Sequence, residues 1–123
     1  MNNPIKDKSF EFAITIVETY KFLVQEKKEY ILSKQVLRSG TSIGAQVSEA
    51  TYAQSKKDFI HKMSIAQKEA SETVYWIKLL FQTDYFDAKQ YDLLLYKSEE
   101  LLKILTSILK SSKNNPNTSP INN

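Results

Sequence analysis

Ser9-Phe10-Glu11-Phe12-Ala13-Ile14-Thr15-Ile16-Val17-Glu18-Thr19-Tyr20-Lys21-Phe22-Leu23-Val24 is the stretch that decides the fold class. Apolar residues return every three or four positions along it, at Phe10, Ala13, Ile14, Val17, Tyr20 and Val24. That is the period of an α-helix with one side turned away from water. Phe12, Ile16 and Leu23 form a second stripe beside the first. One stripe suffices to bury a helix in a bundle. Two adjacent stripes predict burial over a wider arc, as for a helix that meets both its own core and a neighbouring subunit. The segment reads as helix from about Ser9 to Lys28.

Three further segments repeat the pattern. The second runs from about Ile31 to Gln54 through Leu32, Val36, Ile43, Val47 and Ala50. Ser39, Gly40, Gly44 and Ala45 lie in its middle, and Gly40 and Gly44, four apart, share one face. Glycine inside a helix costs roughly 1 kcal/mol relative to alanine, so either a close helix contact offsets it or the helix kinks or starts near Thr41. Ser55-Lys56-Lys57-Asp58 reads as a capping box opening the third helix, which runs to about Gln82 through Phe59, Met63, Ala66, Ala70, Ile77, Leu80 and Phe81. The pattern lapses from Thr83 to Phe86. Asp87 and Gln90 then form a second capping box, with Phe86 against Tyr91 as its hydrophobic staple. The fourth helix carries Leu94, Leu95, Leu101, Leu102, Leu105, Ile108 and Leu109.

Four helices joined by short turns predict an all-α, antiparallel up-down-up-down four-helix bundle. Residues 1–112 read as one bundle domain and 113–123 as a disordered polar tail, the apolar pattern ending at Ser111. Composition agrees. A chain of 123 residues suits one domain, and two glycines with three prolines are too few for a many-turned β fold. The absence of cysteine excludes disulfides, thiolate metal sites and a cysteine nucleophile. No run approaches the roughly 18 apolar residues of a membrane span, and Met1–Lys6 lacks a signal-like apolar region, so a cytoplasmic location is expected with no membrane partner. Net charge is +3, which permits a nucleic-acid partner without demanding one.

Chemistry-bearing constellations are sparse. A di-metal bundle site needs several inward carboxylates with Glu-x-x-His pairs. His61 is the lone histidine and Asp58 stands three before it, while Glu69 and Glu72 have no histidine partner. Nothing supplies a nucleophile turn or a phosphate loop, so neither catalysis, a cofactor nor a small-molecule substrate is expected. Arg38 is the sole arginine, a fork suited to carboxylates or phosphates; it projects near Glu49, eleven positions on, and Gln35 belongs with them. A structural ion-pair network is the plainer use of these three. Lys56, Lys57, His61, Lys62 and Lys68 form a basic stretch, of which Lys57, His61 and Lys68 line one helical face with Ser64 between. Such a line can follow a phosphate backbone, although a solvated surface is the commoner role.

Gln35-Val36-Leu37-Arg38-Ser39-Gly40-Thr41-Ser42-Ile43-Gly44-Ala45-Gln46-Val47-Ser48-Glu49-Ala50 resembles the signature of the four-helix-bundle proteins encoded in intervening sequences of 23S ribosomal RNA genes. Ser55-Lys56-Lys57-Asp58-Phe59-Ile60-His61-Lys62-Met63-Ser64-Ile65-Ala66-Gln67-Lys68-Glu69-Ala70-Ser71-Glu72-Thr73-Val74-Tyr75-Trp76 is similar to that family's third helix. The pattern departs at Gln46 and Ser48, where the family usually carries Asn and Ala. The resemblance implies an antiparallel bundle assembled as a ring-shaped homopentamer, of mostly unassigned function. A group similar in fold, the accessory proteins of diversity-generating retroelements, works with RNA and a reverse transcriptase. The expected partners are therefore further copies of the chain and RNA. Candidate nucleic-acid contacts are Lys56, Lys57, His61, Lys62, Lys68 and Arg38; candidate subunit or helix-packing residues are Phe12, Ile16, Leu23, Gly40, Gly44 and Glu49. A protein-interaction scaffold with no nucleic-acid partner is the alternative.

Overall fold

The computed structural model describes residues 3–114, and four α-helices account for most of them: α1 Pro4–Gln25, α2 Leu32–Ala50, α3 Lys56–Gln82 and α4 Ala88–Asn114. Each helix packs on its neighbours in sequence, and α1 closes the square against α4. Partners across every seam run in opposite senses. Ser9 of α1 backs onto Gly44 and Ile16 onto Gly40, while Glu49 of α2 reaches Lys62 and Arg38 reaches Glu72. Gln67 of α3 bonds Thr106 and Phe81 stacks on Tyr91, while Lys8 pairs with Glu100 and Phe22 shares a hollow with Phe86. The bundle is antiparallel, up-down-up-down.

Local chemistry sets the helix ends. The first helix starts at Pro4 rather than near Ser9, because Asn3 caps it, its side chain accepting from the Lys6 N–H at 3.4 Å. Proline at the first helical position loses no hydrogen bond there. At the other end Lys28 adopts a left-handed φ of 55°, letting the Glu29 N–H reach back to the Leu23 carbonyl at 2.9 Å. Glu29 then opens α2: its carboxylate accepts from the N–H groups of Ile31 (3.2 Å), Leu32 (3.0 Å) and Ser33 (2.7 Å). Burial pushes the Glu29 carboxyl up, but these three donors outweigh it and hold its pKa below the usual value. The second helix ends at Ala50, short of Gln54, where the Thr51 hydroxyl donates to the Ser48 carbonyl at 2.7 Å.

Ser55 caps α3, accepting from Asp58 N–H at 3.0 Å. Asp87 and Gln90 cap α4 reciprocally, at 2.7 and 2.9 Å. Tyr91 lies flat on Phe81, ring centroids 4.0 Å apart, so α3 receives the ring expected to staple Phe86. Asp84 turns the chain between these helices with a φ of 71°. The fourth helix continues to Asn114, and Lys113 is therefore helical rather than part of a tail. Ser112 is buried there and donates to the Ile108 carbonyl at 2.8 Å, a local bond that substitutes for apolar periodicity. The remainder of the polar tail, 115–123, lies outside the described residues.

Of the two stripes on α1, that of Phe12, Ile16 and Leu23 enters the core, joined by Ile5. They meet Val36, Ile43 and Val47 of α2, Met63, Ile77 and Leu80 of α3, and Leu101 and Leu105 of α4. Full burial of such side chains contributes about 1.5–3 kcal/mol each. Phe10, Ile14 and Val17 stay outside, exposed by 67%, 49% and 37%.

The second helix is uninterrupted across its glycines, and the close contact is with α1 of the same chain. A Cβ added at Gly40 would sit 2.7 Å from Ile16 Cγ1, and one at Gly44 would sit 3.1 Å from the Ser9 carbonyl oxygen. The helix axes come this near because nothing projects between them.

Candidate nucleic-acid interface

The seam between α2 and α3 is polar where the α1 seam is bare. The Ser39 and Thr73 hydroxyls, both buried, are hydrogen-bonded at 2.9 Å, and Thr73 also donates to the Glu69 carbonyl at 2.7 Å. Arg38 does not pair with Glu49. Its guanidinium donates to Glu69 (3.4 Å), to Gln35 (3.2 Å) and to Glu72. Trp76 donates its indole N–H to the same Glu72 oxygen at 2.9 Å. That indole bond, opposed by burial and aided by Arg38, holds the Glu72 carboxyl below the usual carboxylate range. Glu49 takes Lys62 instead, at 2.9 Å, and its hydrogen bond and charge raise the Lys62 pKa.

These positions sort the candidate phosphate contacts into two sets. Arg38 and Lys62 hold carboxylates of the seam, and Lys56 is half-buried at the start of α3. Lys57, His61 and Lys68 are exposed and make no ion pair among the described residues. Their line lies opposite the Met63–Ala66–Ala70 face that α3 buries, so it points straight into solvent. Arginine, the residue most suited to phosphate, is thus structural here, and the exposed charge is carried by lysine.

Two lysines escaped the sequence reading. Lys103 and Lys110 are exposed on α4, about one turn either side of Thr106, and Thr106 bonds Gln67 of α3 at 2.9 Å. That bond ties the stretch of α4 that carries them to the stretch of α3 that carries Lys68. Their spacing along α4 was visible, but only the α3–α4 register brings that stretch of α4 alongside Gln67.

The outer face shared by α1 and α2 has opposite character. Phe10 lines a shallow hollow with Gly44 and Ser48, and Ile14 and Val17 continue from it along α1. On α2 the facing residues Thr41, Gly44, Ala45 and Ser48 are small and uncharged. Lys6, Asp7 and Glu11 rim the hollow at one end. Gln46, on the α3 side, is half-buried with its side-chain carbonyl unpartnered. No helix among the described residues is long and apolar enough to cross a membrane, and no group of three or more of their acidic or histidine side chains could hold a metal ion.

A four-helix bundle with one polar seam, one glycine seam and a lysine-lined outer helix defines the class. The chain belongs to the 23S rRNA-intervening sequence protein family, whose model matches residues 1–107. It is similar to a crystal structure from Bacteroides thetaiotaomicron, described as a protein with unknown function from the S23 ribosomal protein family. The two share 56% identity over 88% of this chain and 96% of the other, with a TM-score of 0.86. No curated protein matches the chain.

Proposed function

We propose that the chain acts by binding, as a homo-oligomer whose copies meet through the outer face of α1 and which holds RNA along the outer face of α3. The observation that carries the RNA reading is the exposed line of Lys57, His61 and Lys68, none of them in an ion pair among the described residues. Lys57 and Lys68, with no carboxylate partner among the described residues, leave their charge available to phosphate, and a ring of subunits would multiply a modest patch by avidity. The family is named for its place within 23S ribosomal RNA sequences, so ribosomal RNA is the first ligand to try. The exposed Phe10, Ile14 and Val17 support self-association, since a contiguous apolar face in water favours a partner surface.

The test is binding of a labelled ribosomal RNA hairpin across a salt series, with the Lys57→Glu/Lys68→Glu variant alongside. We expect affinity to fall linearly in log–log as salt rises, and the variant to lose at least tenfold with a shallower slope. Equal binding by parent and variant would sink the RNA reading. Sedimentation velocity addresses the assembly: the parent should be oligomeric and Phe10→Glu/Ile14→Glu should shift it toward monomer. A parent that stays monomeric at tens of micromolar removes the oligomer. The second reading, a scaffold without nucleic acid, is favoured by the uncharged α1–α2 face, and it gains if assembly persists while RNA is not bound.

A further inference from the structure

The cationic line on α3 does not stop at Lys68. The same alternation of three and four residues continues through Ser71, Tyr75 and Lys78, and none of the positions from Lys57 to Lys78 on that line is acidic. A 3.5-residue repeat drifts only about 20° per heptad on a straight helix, so the line remains one narrow strip about 30 Å long. Tyr75 interrupts the lysines as an aromatic ring exposed by 59%. It is not loose. Its ring meets Trp76 nearly edge to face, centroids 5.0 Å apart at 73°, and Trp76 is itself pinned by Glu72. No other ring packs on Tyr75 among the described residues. Beside it an open groove between α3 and α4 is lined by Gln67, Lys68, Ser71, Leu102 and Thr106. Glu72 also reaches this groove, but its carboxylate is engaged by Arg38 and Trp76.

We infer that this strip recognises an unpaired nucleic-acid strand, with one base stacked on Tyr75 and the flanking phosphates held by Lys68 and Lys78. The inference rests on the reading of α3 as the RNA-binding face and narrows it to the strand state of the ligand. A convex helix face cannot enter the deep, narrow major groove of an RNA duplex, and a paired base cannot offer its π-face to a side chain. A lysine track with an interposed, pre-positioned ring suits a single strand, where stacking adds affinity without demanding sequence.

The experiment measures binding by fluorescence anisotropy to labelled 15-nucleotide oligouridine, 15-nucleotide oligothymidine and a 15-base-pair RNA duplex. Parent, Tyr75→Ala, Tyr75→Phe and Lys57→Glu/Lys68→Glu are compared, with thermal unfolding confirming that each is folded. The parent should bind a single strand more tightly than the duplex, and the two oligomers show whether RNA or DNA is preferred. Tyr75→Ala should lose about 5- to 100-fold on single strands with an unchanged salt slope, since it removes stacking and no phosphate contact. Tyr75→Phe should keep the parent's affinity. Duplex binding at least as tight as single-strand binding overturns this inference. So does Tyr75→Ala within twofold of the parent while the lysine variant loses binding; the α3 reading would then stand alone. Absence of binding to all three probes at low salt removes both.

Discussion

The two flanks of α2 seal against their neighbours by opposite means. Toward α1 it presents Gly40 and Gly44, and the seam closes because side chains are missing. Toward α3 it presents Arg38, Ser39 and Glu49, and the seam closes because polar side chains find one another. The first is a van der Waals contact intolerant of added atoms, and the second is a set of replaceable pairs. The lesson is that a compact run of unusual residues, Arg38 to Glu49, is explained by helix packing on both sides. Its charged residues, Arg38 and Glu49, are already engaged across the α2–α3 seam, so function is to be sought on the outer surfaces.

Breaking the bare flank should have the largest effect. Gly40→Ala places a methyl against Ile16, which is fully buried and crowded close to its branch point. Overpacking typically costs 1–3 kcal/mol, and contact at a branch point that cannot swing aside puts this site in the upper part, about 2–3 kcal/mol, of which alanine's helix propensity returns about 1 kcal/mol. We expect a net loss of about 1–2 kcal/mol by denaturant unfolding, and a larger loss for Gly40→Val. A neutral Gly40→Ala would mean that α1 can draw away freely.

On the polar flank the buried hydroxyl pair comes next. Thr73→Val strands the Ser39 hydroxyl and should cost about 1–2 kcal/mol. Adding Ser39→Ala should cost less than the sum of the single changes, since both partners are then gone. Strict additivity in that double-mutant cycle would show that the pair contributes nothing jointly. Arg38→Ala should cost still less, about 0.2–1 kcal/mol, because the guanidinium is half exposed and water screens its pairs.

Acid sharpens the same contrast. Glu29 and Glu72 are held below their ordinary pKa of about 4.3 when folded. A carboxylate depressed in this way stabilises the fold fully above its unfolded pKa, and that contribution is lost as pH falls through the folded value. Unfolding temperature should therefore decline as pH drops below about 4.5, and Glu29→Gln should flatten the decline at a cost of about 1 kcal/mol at pH 7. An unchanged acid limb in Glu29→Gln would remove Glu29 as its source. The packed contacts of Gly40 with Ile16 and of Gly44 with Ser9 involve no titrating group and should contribute nothing to the slope.

Much of this architecture was legible in the chain. Helical periodicity, the Ser55 and Asp87–Gln90 caps and the near absence of glycine and proline dictate four helices in an antiparallel order, since those signals are local and each acts within a few residues. The Asn3-Pro4 start also carries a local signal, which apolar spacing alone passes over, whereas glutamate at position 29 is not a residue type that announces a helix start. Other features have no local signal. Two apolar stripes on α1 are equivalent until neighbouring helices bury Phe12, Ile16 and Leu23 and leave Phe10, Ile14 and Val17 in water. Arg38 could face Glu49 along its own helix, yet the α2–α3 register offers it Glu69 and Glu72 instead. The register of packed helices is set by how all four surfaces interdigitate at once, and that sum is not contained in any one segment. Sequence by itself therefore determined the elements, their order and the capped starts of α3 and α4. Only the tertiary structure decided which apolar stripe became core, which cations pair with carboxylates, and which stand exposed on the outer face of α3.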